Sequence, residues 1–199
     1  MNTQTDWNVG EQIAVASTSY EGREAEERTI TAVSTTSLAG NTVTVLTVDS
    51  AFEFLHEAFT DTLEDGQTYS IRAEVALLTR NIVFQGDSNS ESTLFGAHLM
   101  LHSSGDDSLT GRIENVEFRQ VGQAFQLGRY PIHFHMIGDV YNSYIRGNSI
   151  HHTYNRAVTI HGVHHLTIQN NVAYHTMGHT FFIEDAAETH NVLEDNLAI

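Results

Sequence analysis

RGNSIHHTYNRAVTIHG (146–162) laid over QNNVAYHTMGHTFFIED (169–185) decides how this chain folds. Asn148 falls on Asn171, His152 on His175, Thr153 on Thr176, Ile160 on Ile183 and His161 on Glu184, at an offset of 23 residues. An earlier stretch, ENVEFRQVGQAFQLG (114–128), fits the same frame with Asn115 on Asn171, Gly122 on Gly178 and Phe125 on Phe181. A further copy opens at EDNLAI, where Asn196 continues the asparagine column. Repeats of this length, made of short β-rich runs with an asparagine at one fixed turn, specify a right-handed parallel β-helix. Each coil buries its inward side chains against the coils above and below. Asn115, Asn148, Asn171 and Asn196 are expected to accept a tight left-handed turn and to hydrogen-bond along their column. Leucine-rich repeats share the period, but their leucine consensus and helix are missing. The chain stops within its last copy, as a piece of a longer solenoid would.

The remaining sequence agrees with an all-β fold. QIAVAS, NTVTVLTV, EVALLTRNIVFQG, RIENVEF, RAVTIHG and HLTIQNNVAY are strand-like runs punctuated by Gly, Asn and Asp. Only Glu21–Arg28 and Ser50–Thr62 read as short helices. The expected organisation is a β-rich segment over 1–70 and a β-helix over 71–199. The interval from Asn115 to Asn148 is 33 residues, ten longer than the next, so a loop is expected at 129–140.

Composition narrows the function. The formal charge of −16 argues against nucleic acid as a partner, and an anionic polysaccharide needs a cation or arginines to bridge the repulsion. All nine basic residues are arginine, which removes Schiff-base chemistry, and the absence of cysteine removes thiolate metal sites and disulfides. The same acidic, lysine-free balance also suits a salty habitat. No apolar run has membrane-spanning length, and MNTQTDWNVG (1–10) lacks the pattern of a signal peptide. Nothing in the sequence sets an oligomeric state.

The chemistry concentrates around RYPIHFHMIG (129–138). If Ile132, Phe134 and Met136 face the core, alternation projects His133 and His135 outward together. The same alternation turns His161 and Glu184 outward on neighbouring coils, with His179 and Asp185 close in sequence. His133, His135, His161 and His179 are therefore candidate ligands for a divalent metal. Imidazole and carboxylate suit zinc or another transition metal, and carboxylates leave calcium open, although no EF-hand loop is present. The alternative is histidines paired with nearby acids. Arg129, His161, Glu184 and Asp185 are the candidate catalytic residues, with Arg129 placed to orient a carboxylate. A lyase would neutralise a uronate and abstract a proton with a neutral histidine. A hydrolase would use two carboxylates among Glu184, Asp185 and Asp139. His152 and His175 share a column, with Arg119 in the earlier copy, and read as a structural ladder. His56, His98 and His102 fall outside any constellation, and Arg156 reads equally as a groove residue or an inter-coil ion pair.

DWNVGEQIAVASTSYEGREAEERTI (6–30), LTRNIVFQG, RIENVEF, GRYPIHFHMIGD, IHHTYNRAVTIHG and GHTFFIED together resemble one family closely. It is the G8-domain and β-helix region shared by fibrocystin, fibrocystin-like protein, the cell-migration-inducing hyaluronan-binding protein and the transmembrane hyaluronidase. The resemblance implies part of a G8 domain followed by a right-handed parallel β-helix, in an extracellular or cell-surface setting. It also implies metal-assisted depolymerisation of a hyaluronan-like acidic polysaccharide, or else a non-catalytic glycan- or metal-binding adhesion module, or a structural section of a longer solenoid. The chain departs from the animal members in having neither cysteine nor lysine.

Overall fold

A computed structural model describes residues 4–103 and 106–199. The chain forms two compact units, residues 1–79 and 80–198. The sequence reading puts the boundary at 70. The structure moves it because β6 (Val75–Leu77) pairs antiparallel with β1 (Gln12–Val15), inside the first unit.

The first unit is a sheet of order β3-β2-β1-β6, with β2 (Glu26–Leu38) and β3 (Asn41–Val48) joined as a long antiparallel hairpin. A second hairpin pairs β4 (Ala58–Thr62) with β5 (Thr68–Arg72). Neither expected helix forms. Glu21–Arg28 holds only a 3₁₀ turn at Gly22–Glu24 before β2 begins, and Ser50–Thr62 runs as a loop into β4. The loop is held by Glu26, whose carboxylate accepts the backbone N–H groups of Glu53 and Phe54 and meets His56 Nε2 and Arg28 Nη2. His56 thus belongs to a constellation that the sequence does not reveal.

Burial alone would raise the Glu26 pKa, but those donors outweigh it and hold the group down at about 2. A carboxyl depressed this far stabilises the folded unit fully above pH ~4.5 and loses that contribution as pH falls through 2. With solvent screening allowed for, the change is on the order of 2 kcal/mol. Trp7 packs on the apolar cluster of this unit, so tryptophan fluorescence follows it. Acid unfolding monitored this way is expected to flatten below pH ~4.5 in Glu26→Gln. An unchanged acid limb in the variant would show that Glu26 does not govern it.

The second unit is the β-helix. One parallel sheet contains β7 (Ile82–Gln85), β10 (Val116–Arg119), β13 (Ser149–Thr153), β16 (Val172–Thr176) and β19 (Leu197–Ala198). A second contains β8 (Leu99–His102), β11 (Ile132–Asp139), β14 (Val158–His164) and β17 (Phe181–Ile183). A third contains β9 (Arg112–Glu114), β12 (Tyr144–Arg146), β15 (Thr167–Gln169) and β18 (Val192–Glu194). The interior stacks like on like: Ile113, Ile145 and Ile168 form one column, and Leu99, Ile132, Val158 and Phe181 another. Ile132, Phe134, Ile145, Ile150, Val158, Ile160 and Ile168 are completely buried. Close packing of such columns supplies most of the coil-to-coil stabilisation.

The asparagine column divides into two. Asn148, Asn171 and Asn196 hydrogen-bond along the axis, with Asn148 Nδ2 donating to Asn171 Oδ1 at 2.9 Å and Asn171 Nδ2 to Asn196 Oδ1 at 3.0 Å. Asn115 lies one position earlier, because Glu117 pairs with Ser149 and so Val116 stands opposite Asn148. Asn115 instead shares a left-handed column with Gly147, Asn170 and Asp195, at φ of 55°, 65°, 55° and 54°. The turn and the ladder are thus carried by adjacent residues. The same one-residue slip makes Gln120, not Arg119, the left-handed partner of His152 and His175.

The extra length of the second coil also moves. RYPIHFHMIG is not a loop: Ile132–Asp139 is a strand paired on both sides. From Glu117 to Ile132 the chain takes 15 residues, against nine from Ser149 to Val158 in the next coil, so six extra residues precede β11. They lie within 120–131. A smaller irregularity falls after His135, where a bulge leaves Met136 exposed at φ 50° and turns Ile137 into the core in its place. The inward trio is therefore Ile132, Phe134 and Ile137.

Candidate metal centre

Pairing in the second sheet puts His102, His135 and His161 in one outward column, and His133 beside it. Glu184 follows β17 and donates its backbone N–H to Ile160 O, which sets its side chain next to His161. His133 Nε2, His135 Nδ1, His161 Nδ1 and Glu184 Oε2 then converge. His135 Nδ1 lies 3.2 Å from His133 Nε2 and 3.0 Å from His161 Nδ1, while Glu184 Oε2 lies 3.4 Å from His161 Nδ1 and 3.9 Å from His133 Nε2.

Hydrogen bonds behind the rings fix which atoms carry protons. His133 Nδ1 lies 3.0 Å from Gly128 O, which can only accept, so Nδ1 bears the hydrogen and Nε2 presents its lone pair. His161 Nε2 lies 3.1 Å from Asp185 Oδ2, so in the neutral ring its Nδ1 is the lone-pair atom. Glu184 Oε1 is held from the far side by Tyr130 OH at 3.2 Å and by Arg156 Nη1 at 3.7 Å. Its other oxygen, Oε2, is buried and accepts no hydrogen bond among the described residues.

Three lone pairs or anionic oxygens therefore face one another, with at most the His135 Nδ1 proton between them. Such a set repels itself unless a cation sits inside it. Tetrahedral bonds of about 2.0–2.1 Å place neighbouring ligand atoms roughly 3.3–3.4 Å apart. The four separations above run from 3.0 to 3.9 Å, and the three histidine nitrogens all lie within 4.8 Å of one another, with Glu184 beside two of them. The residues fit a divalent metal, with Asp185, Gly128, Tyr130 and Arg156 orienting its ligands from behind. Burial holds His133 down at about pKa 4, with His135, His161 and His98 adding to the effect, and burial also lowers His135. His133 is thus neutral, with its lone pair available, at neutral pH.

The expected site residues separate accordingly. His133, His135, His161, Glu184 and Asp185 come together. His179 does not: it is exposed and packs against the Phe182 ring, outside the group of convergent ligand atoms found among the described residues. Arg129 lines the same cavity of about 370 Å³, with Met100, Leu127, Gly128 and the three histidines, and its Nη1 donates to His98 Nε2 at 3.2 Å. Asp139 stands elsewhere, 3.7 Å from His165.

Several contributors are not legible as such in the sequence. Tyr130 is buried and bonds both Glu184 and Arg156, yet its only sequence mark is to precede a proline. His102 packs on His135 with ring centres 5.1 Å apart, and its Nδ1 lies 3.1 Å from His135 O. The signal for His102 is register, four residues of β8 matching IHFH of β11, but β8 lies outside the clear repeat.

A solenoid of parallel coils with this histidine–carboxylate centre, preceded by an antiparallel β unit, defines a right-handed parallel β-helix protein of G8 type. The CEMIP β-helix family matches residues 94–199, and the chain belongs to that family. Fibrocystin-L of Mus musculus is 39% identical over 230 aligned positions that cover 97% of this chain and 5% of the relative. A cell surface hyaluronidase of Homo sapiens is 35% identical, covering 98% of this chain and 14% of the relative. A G8 domain-containing protein of Dictyostelium discoideum is 35% identical, covering 97% and 16%. The chain thus spans a small part of the length of these relatives. Among the described residues no helix is long and apolar enough to cross a membrane.

Proposed function

We propose that this chain carries a divalent-metal centre that depolymerises a uronate-containing polysaccharide of the hyaluronan type at the cell surface or outside the cell. The observation that carries the reading is the convergence of His133, His135 and His161 nitrogens beside a buried Glu184 oxygen that accepts no hydrogen bond among the described residues. Two relatives being named cell surface hyaluronidases supports the substrate class. Zinc or another transition metal suits three imidazoles better than calcium, which prefers an all-oxygen shell.

Bound by these four residues, the cation would supply Lewis acidity toward a substrate carboxylate. Arg129, exposed at the rim of the cavity, pairs with the uronate and offsets the repulsion of an acidic chain. The two carboxylates of the site do not flank an open gap. Glu184 is committed to Tyr130 and Arg156, and Asp185 to His161. That favours elimination over two-carboxylate hydrolysis. In the elimination, the C5 proton of the uronate passes to a neutral imidazole, a C4–C5 double bond forms, and the C4–O bond breaks as its oxygen takes a proton from solvent. His102, whose ring packs on His135 with centres 5.1 Å apart, offers the imidazole for this step: with Nδ1–H donated to His135 O, the neutral tautomer leaves Nε2 as its free ring nitrogen.

Mixing the protein with hyaluronan and zinc or manganese tests this. A falling viscosity with growing ultraviolet absorbance of unsaturated uronate is expected. New reducing ends without that absorbance would replace elimination with hydrolysis. Polysaccharide left intact across several uronate substrates and metals would overturn the catalytic reading in favour of a binding module.

A further inference from the structure

The six extra residues of the second coil build a feature that the metal centre does not use. The segment 120–131 is tied down at many points: Gln123 N donates to Arg129 O at 2.9 Å, Ala124 N to Leu94 O at 2.9 Å, and Asn155 Nδ2 to both Gln123 O and Gln126 O. Yet this well-anchored loop lifts Phe125 and Leu127 into solvent at 89% and 84% exposure. Phe125 also adopts φ 59°, a left-handed conformation that is unfavourable for a bulky side chain. An anchored loop that accepts strain to expose an aromatic ring points to a ligand for that ring.

The surroundings indicate which ligand. Phe125, Gln126, Leu127, Tyr130, Asn155 and Arg156 line one shallow depression, and Leu127 also lines the cavity over His133, His135 and His161. The Arg156 guanidinium lies 3.7 Å from the centre of the Phe182 ring and bonds Tyr130 OH, which links the depression to Glu184. A flat ring beside side-chain amides and a guanidinium matches a pyranose, whose C–H face packs on an aromatic surface while its hydroxyls and carboxylate bond the polar groups. A protein partner would call for a broader apolar patch than Phe125, Leu127 and the partly exposed Met177 provide.

We infer that Phe125 is a stacking platform for a sugar ring of the same glycan chain whose reacting unit lies over the histidine centre, with Gln126 and Arg156 binding that sugar's polar groups while Asn155 holds the loop in place. This rests on the proposed function. Loss of one buried aromatic contact corresponds to roughly tenfold in affinity.

The test is titration calorimetry of hyaluronan octasaccharide against the intact chain, Phe125→Ala and Phe125→Trp, with metal content measured on each. Phe125 is exposed, so both variants are expected to fold and to retain metal. Octasaccharide affinity should fall about tenfold in Phe125→Ala and recover in Phe125→Trp. Unchanged affinity in Phe125→Ala, while His133→Ala with His135→Ala still abolishes depolymerisation, would overturn the platform and leave the centre standing. An intact chain that neither binds nor cleaves the octasaccharide would overturn both.

Discussion

Changing His133 and His135 together to alanine is expected to abolish stoichiometric binding of a divalent metal, and depolymerisation with it. Two of three imidazole nitrogens disappear, and the remaining His161 and Glu184 cannot close a tetrahedral shell. The fold should survive. His135 is only partly buried, and His133 gives up one bond to Gly128 O plus ring contacts with Tyr130. A destabilisation of about 2–3 kcal/mol follows from that loss of packing and hydrogen bonding. Far-UV circular dichroism and elemental analysis of the same sample separate the two effects. Glu184→Gln is the milder companion, because it keeps the shape and both Oε1 contacts while removing the charge. A double variant that still holds one metal per chain would place the ion elsewhere.

Asn171→Leu is expected to produce the largest loss of stability in the β-helix. The Asn171 side chain makes four hydrogen bonds in a fully buried position. It accepts from Asn148 N at 3.0 Å and Asn148 Nδ2 at 2.9 Å, and donates to Ile145 O at 2.8 Å and Asn196 Oδ1 at 3.0 Å. Leucine fills the volume but removes the partners of Asn148 N, of one Asn148 Nδ2 hydrogen (the other stays on Ile113 O) and of Ile145 O inside the solenoid. At about 1–3 kcal/mol for each buried orphan, the total is on the order of 3–5 kcal/mol. Urea denaturation followed by far-UV circular dichroism should show a lower midpoint, whereas Gln169→Ala, on the outward side of β15 beside the same turn, should change little. Equal midpoints for the two variants would mean that the ladder is not what holds successive coils in register.

These expectations also mark what can be read from residues alone. The 23-residue offset between 146–162 and 169–185 is visible because both segments repeat without insertion, so Ile160 over Ile183 and His161 over Glu184 follow directly. The earlier coil hides its frame. Six extra residues before β11 and a bulge inside it shift each sheet differently, so Phe125 aligns with Phe181 in the sequence although Ile132 occupies that position in the fold. Asn115 is a decoy for a related reason: the left-handed turn and the ladder both favour asparagine and lie one residue apart. Met136 fits an alternating strand, but the bulge gives its place to Ile137.

The site divides along the same line. His133, His135, His161 and Glu184 lie within paired strands or directly after one, where alternation and register locate side chains. Tyr130, Arg156 and His102 act through contacts between coils whose register the sequence does not expose. His179 is drawn in by closeness in sequence, but the turn before β17 carries it out to Phe182. Alternation locates residues on strands well and residues on turns poorly, because only the strand has a fixed period.

The most direct test of the central claim is the metal content of the unaltered protein. After exposure to zinc and removal of the excess, elemental analysis should find one divalent ion per chain, released on acidification as the three imidazoles take up protons. Protein that stays metal-free under those conditions, with a His161 imidazole resonance showing it protonated between Glu184 and Asp185 at neutral pH, would contradict the metal centre and leave an ion-paired histidine cluster in its place.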